Sequence, residues 1–167
     1  MDKRQPLRLY NMMFPVWMLI WFPSWLWLGL IPLNYLIDRT VLYLALAGEP
    51  ERKSLCRRLG WRVCLAGFAA DLAGCAVLLG AYAMPDLFSE EAGRAFRMAV
   101  AYAPAENLPA LAVTLLAVAL SGVLIWALDR RILRRGGAAD PGRAAGILAA
   151  VTAPWVLLLP WGRWLYW

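Results

Sequence analysis

Residues 11–48 read NMMFPVWMLIWFPSWLWLGLIPLNYLIDRTVLYLALAG, and the fold class turns on this stretch. From Leu9 to Gly48 only Asp38 and Arg39 carry charge. The hydrocarbon core of a bilayer takes about 20 apolar residues per helix, so a run of roughly 40 suits two crossings rather than one. Pro23 and Pro32 bracket the expected reversal, with Trp25, Trp27 and Gly29 between them. Tryptophan favours the membrane interface because its ring is amphipathic. The turn is therefore expected within residues 22–34, and Gly48 followed by Pro50 stops the second helix.

The rest of the chain extends this pattern. Hydrophobic residues make up 62% of the sequence and charged residues 17%, against about 45–50% and about 25% in a typical soluble domain. The excess falls in long runs, which is the membrane signature. The expected fold is all-α: a polytopic integral membrane protein with about five transmembrane helices. Their approximate spans are 9–28, 32–48, 63–84, 108–128 and 142–166, in a single helical domain over 1–167. A short amphipathic surface helix is expected at 89–103. Ser89 is its N-cap, Glu90 and Glu91 lie in its first turn, and Phe88, Ala92, Phe96, Val100 and Ala103 recur at helical spacing. Asp140-Pro141 reads as an N-cap with proline at the first helical position. Pro154 and Pro160 should bend or shorten the helix that follows.

The net charge of +6 sits beside the apolar runs. Lipid headgroups explain it better than nucleic acid, which is not expected as a partner. Arg52, Lys53, Arg57 and Arg58 lie in one basic stretch, 49–62. Arg130, Arg131, Arg134 and Arg135 lie in a second, 129–143. Both are expected to be cytoplasmic and to meet anionic headgroups. The N-terminus, with Lys3, Arg4 and Arg8, is expected on the same side and the C-terminus outside. Met1–Arg8 looks like the start of a signal peptide, but its apolar run is too long and no small-residue cleavage site closes it, so it is expected to be retained. The compact design points to a bacterial inner (plasma) membrane.

Charge inside a span is the default pointer to function. Asn34 and Asp38 are i, i+4 neighbours and share a helix face; Tyr35, Arg39 and Tyr43 form the adjacent one. Asp71 lies near the middle of the third span with no charged neighbour in that span. Asn34, Asp38, Arg39 and Asp71 are thus the candidates for an intramembrane polar or ion path. Arg39, at similar depth, is the expected partner of Asp71. The competing reading is a salt bridge that only fixes helix packing. Cys64, Asp71 and Cys75 share a face but lack metal-ligand spacing, and the chain has no histidine, so neither a metal nor a cofactor is expected. GxSxG, HExxH and GxxxxGK[ST] are missing from the sequence, and no enzymatic activity is expected.

Ala66, Ala70 and Gly74 recur at i+4, a small-residue face that lets helices approach closely in lipid. Two functional classes follow. The first is a transporter- or channel-like protein with an intramembrane polar site. The second is a non-catalytic accessory or assembly subunit that docks a partner membrane protein, or a second copy, through such faces. The octapeptide FPVWMLIW, 14–21, is similar to a stretch of tryptophan-rich sensory-type membrane proteins, but the likeness ends there and no function follows from it.

Overall fold

The computed structural model describes Trp25, residues 27–84 and residues 89–161. Most of the first expected span, the amino-terminal basic residues, residues 85–88 with Phe88 of the expected surface helix, and residues 162–167 lie outside the described residues. Those described are helical, without a strand.

Helix α1 spans Trp27–Ala45. It contains Pro32, so residues 27–34 of the stretch expected to hold the turn are already helix. The ring removes one amide, whose bond would have gone to Leu28, still within the early turns where the loss is least disruptive. Gly48, at φ +96°, closes this end as expected. A tight connection then leads to α2, Arg52–Ala83, of 32 residues. At 1.5 Å per residue α2 is about 48 Å long, well beyond the roughly 30 Å hydrocarbon core. The stretch read as the loop 49–62 is therefore helical from Arg52 onward. Arginine, lysine and leucine are strong helix formers, and Leu55, Cys56, Leu59 and Val63 bury one stripe.

Helix α3, Glu90–Tyr102, begins where the sequence placed it: the Ser89 hydroxyl accepts from the Ala92 amide at 3.3 Å. Its inner face carries Gly93 and Val100, with Phe96 part-buried, and Ala92 is exposed. Helix α4, Leu108–Gly136, has 29 residues, with Asn107 capping the Ala110 amide at 3.1 Å. It too outruns its expected span, through DRRILRR, and stops at Gly137 with φ +87°. The Gly137 and Ala138 amides close back on Arg134 and Leu133, the left-handed glycine cap. Helix α5 spans Pro141–Thr152, and Asp140 caps the Arg143 amide at 3.0 Å. It ends before Pro154, because proline disfavours helix at the residue ahead of it; a 3₁₀ turn, Trp155–Leu158, follows.

Among the described residues three segments, Arg52–Ala83, Leu108–Gly136 and Pro141–Leu158, are long and apolar enough to cross a membrane. Helix α1, with Asn34, Asp38 and Arg39 in 19 residues, is not among them. The outer surface supports the membrane assignment. Leu36, Leu44, Leu65, Leu116, Val123 and Val151 are all exposed, whereas soluble monomers rarely expose large contiguous apolar area.

Helix α2 packs on α1 and α4, and α5 packs on α1 and α4, so the four close a ring. One core cluster, with Leu42, Leu59, Ile125, Leu133 and Leu148, fills the end near Gly48 and Gly136. A second, with Leu78, Val100, Ala117, Val118 and Leu157, fills the end that α3 covers. Where α2 meets α4, the Ser121 hydroxyl donates to the Ala70 carbonyl at 3.0 Å. A Cβ on Gly74 would collide with that hydroxyl and stand 3.0 Å from the Ala117 carbonyl oxygen. The small-residue face of α2 is therefore spent inside the bundle.

Candidate functional site

Asp38 points inward from α1 and is 3% exposed. Asn34, one turn earlier, donates its side-chain amide to Asp38 Oδ2 at 3.1 Å and also reaches Cys64 Sγ at 3.9 Å. A Cβ on Gly67 would stand 3.6 Å from Asp38 Oδ2. The carboxyl thus lies against α2 where that helix has no side chain to exclude it.

Asp71, one turn further along α2, is close enough to Asp38 for the two carboxyls to repel. Its Oδ1 is sealed from solvent and has no hydrogen-bond partner. The expected pairing with Arg39 does not form: no ion pair joins them among the described residues. Consecutive residues of a helix point about 100° apart. With Asp38 turned inward, Arg39 is turned outward and exposed, its guanidinium 5.9 Å from the Tyr35 ring centroid. Similar depth along the axis did not fix the direction around it.

A third carboxylate joins the first two. Asp129, on α4, is 1% exposed, lies within electrostatic reach of Asp38, and leaves its Oδ1 without a partner. Among a run of arginines it reads as a loop acid. The available signal was spacing: Ser121, Ile125, Asp129 and Leu133 recur every fourth residue and form the buried stripe of α4. None of the three carboxylates is ion-paired among the described residues. An ionised carboxylate left unpaired in a protein interior costs several kcal/mol, and Asp71 and Asp129 each also meet the like charge of Asp38. Such groups bind protons or cations; among the described residues no three potential metal ligands gather into a metal-holding set.

The basic residues divide by what they touch. The Arg52 guanidinium lies 3.6 Å from the Tyr43 ring centroid, and Arg130 lies 5.2 Å from that of Trp126. Arg58 donates to the Gly136 carbonyl at 3.0 Å. Lys53, Arg57, Arg131, Arg134 and Arg135 are exposed. The Glu49 carboxylate accepts from the Ala139 amide at 2.6 Å. These two contacts bring the α1–α2 and α4–α5 connections to the same end of the bundle, so the basic residues form one collar.

Comparison with protein-family models, with curated proteins and with solved structures finds no match.

Proposed function

We propose that the chain is a small polytopic membrane protein of transporter- or channel-like type, in which Asp38, Asp71 and Asp129 hand protons or a small monovalent cation through the bundle, with Asn34 orienting Asp38. One observation carries this reading: Asp71 and Asp129 each leave a sealed carboxylate oxygen without a partner, beside a third buried carboxylate. Intramembrane ionisable residues mark ion paths and proton relays by default. No catalytic role is part of this reading. By the positive-inside rule the basic collar is cytoplasmic, which puts the amino terminus inside and the carboxyl terminus outside; a bacterial inner membrane suits that arrangement.

Proteoliposomes test it. With a pH gradient or a sodium or potassium gradient imposed, the protein should dissipate one of them. Asp71→Asn and Asp129→Asn should each cut that flux by on the order of tenfold or more while the protein still reconstitutes. Flux equal to that of empty liposomes, or unchanged in both variants, would defeat the reading.

A second reading draws on a different place. A groove of about 620 Å³ between α4 and α5 is floored by Ala119, Gly122, Gly146 and Ala150 and flanked by Trp126 and Trp155. Its small residues would admit a helix of a partner membrane protein or of a second copy, the accessory-subunit alternative. Crosslinking from Gly122→Cys in native membranes tests it, and an exclusively monomeric product counts against it.

A further inference from the structure

A cavity of about 580 Å³ opens between the second half of α1 and the start of α2. Arg39, Lys53 and Arg57 line it together with the hydroxyl-bearing Thr40, Tyr43 and Ser54, and no carboxylate does. None of the three cations is in an ion pair among the described residues. Arg52, stacked on the Tyr43 ring, adds a fourth positive charge to the rim. The start of α2 contributes as well. The Arg52 and Leu55 amides bond to the Glu49 and Glu51 carbonyls, and Glu51 supplies no side-chain cap. The Lys53 and Ser54 amides are left without a protein acceptor among the described residues. Free amides at a helix start favour an anion. In the cavity itself the cationic and hydroxyl-bearing side chains of the lining select an anion.

We infer that this cavity binds the phosphate of an anionic phospholipid headgroup, as a discrete site distinct from the general attraction of the basic collar. Free phosphate shares the headgroup chemistry, but the cavity floor favours lipid. Leu36 lines the cavity and is 61% exposed, as Leu33 is 53% exposed one turn below it on the same face of α1. That apolar strip runs from the phosphate position toward the bilayer interior, where an acyl chain lies. Arg39, six residues before the end of α1, is about 9 Å in from that end. Its side chain lines the cavity with Lys53 and Arg57, and a long flexible arginine near the end of a membrane helix can follow a headgroup phosphate. This explains an arginine next to the inward Asp38 that does not pair with Asp71.

The inference rests on the membrane assignment, and one experiment separates the two. The full chain is reconstituted in phosphatidylcholine vesicles carrying spin-labelled phosphatidylglycerol or spin-labelled phosphatidylcholine, and the motionally restricted lipid is read by electron paramagnetic resonance. The wild type should prefer phosphatidylglycerol by on the order of tenfold. Arg39→Gln, Lys53→Gln and Arg57→Gln combined should bring the preference near parity. Arg130→Gln, Arg134→Gln and Arg135→Gln combined, an equal loss of charge outside the cavity, removes only the general attraction and should lower the preference by a clearly smaller factor. Lys53→Glu, a single change at an exposed position, should lower the preference severalfold even if the triple variant fails to fold. Equal losses in the two triple variants, or an unchanged preference in Lys53→Glu, overturn the site. Displacement of the labelled lipid by inorganic phosphate at matched concentration overturns the lipid assignment. A chain that does not reconstitute overturns the membrane assignment and the site together, whereas one that reconstitutes without lipid preference overturns the site alone.

Discussion

Helix α4 buries polar groups in two regions, and the two are treated differently. In its first half Thr114 and Ser121 are 1% and 0% exposed. Both are satisfied: Thr114 donates to the Ala110 carbonyl at 2.8 Å and Ser121 to Ala70 across the helix interface. In its second half Asp129 is equally buried, yet its Oδ1 has no partner. Buried polar groups are nearly always hydrogen-bonded, so an exception needs a reason. The hydroxyls have one in packing, where they tie α4 to itself and to α2. The carboxylate has none there. The contrast within one helix separates polarity that holds the bundle together from polarity that the bundle must carry at a cost.

That contrast yields three mutational tests. The largest effect should come from the packing side. Gly74→Val places atoms where the Ser121 hydroxyl and the Ala117 carbonyl already sit. Overpacking of this kind is expected to cost about 3 kcal/mol, read as a lower midpoint of thermal unfolding in detergent. A midpoint within error of wild type would mean that α2 and α4 are not in close contact there. The carboxylate side should respond with the opposite sign. Asp129→Asn, nearly equal in volume, removes a buried unpartnered acid and should raise stability by about 2 kcal/mol while lowering ion flux. A destabilised variant would show that Asp129 has a structural partner. The smallest effect is Ser121→Ala, which gives up one satisfied hydrogen bond and should cost about 1 kcal/mol, with flux unchanged. A gain in stability would remove the distinction between the two halves of α4.

How much of this was legible in the sequence depends on which physical quantity each feature needs. Caps are local. Ser89, Asp140 and the glycines at 136 and 137 mark their helix ends by backbone chemistry confined to a few residues. The basic stretches mark where the hydrocarbon-compatible parts of α2 and α4 end and not where the helices end, so the expected spans are shorter than both helices. Arginine is a good helix former, and the buried stripe of Leu55, Leu59 and Val63 continues through the basic stretch. The polar site was half legible. Asn34, Asp38 and Asp71 stand out as polar residues in apolar surroundings. Asp129 is masked by its neighbours' charge, and the expected pairing of Arg39 with Asp71 rests on depth alone. Depth follows from counting residues, whereas direction around an axis depends on which neighbours a helix packs against.

The contact between Gly74 and Ser121 has a mechanical consequence. Gly74 presents no side chain there, so only that of Ser121 stands between the backbones of α2 and α4, and its hydroxyl, bonded to the Ala70 carbonyl, resists sliding. Asp129 lies eight residues from Ser121, an arm of about 12 Å, so a tilt of about 5° displaces it by about 1 Å. The α3 end lies on the other arm and swings the opposite way. A tilt there would move the carboxylate end of α4 and the end under α3 in opposite directions, so the packing at one glycine bears on both core clusters.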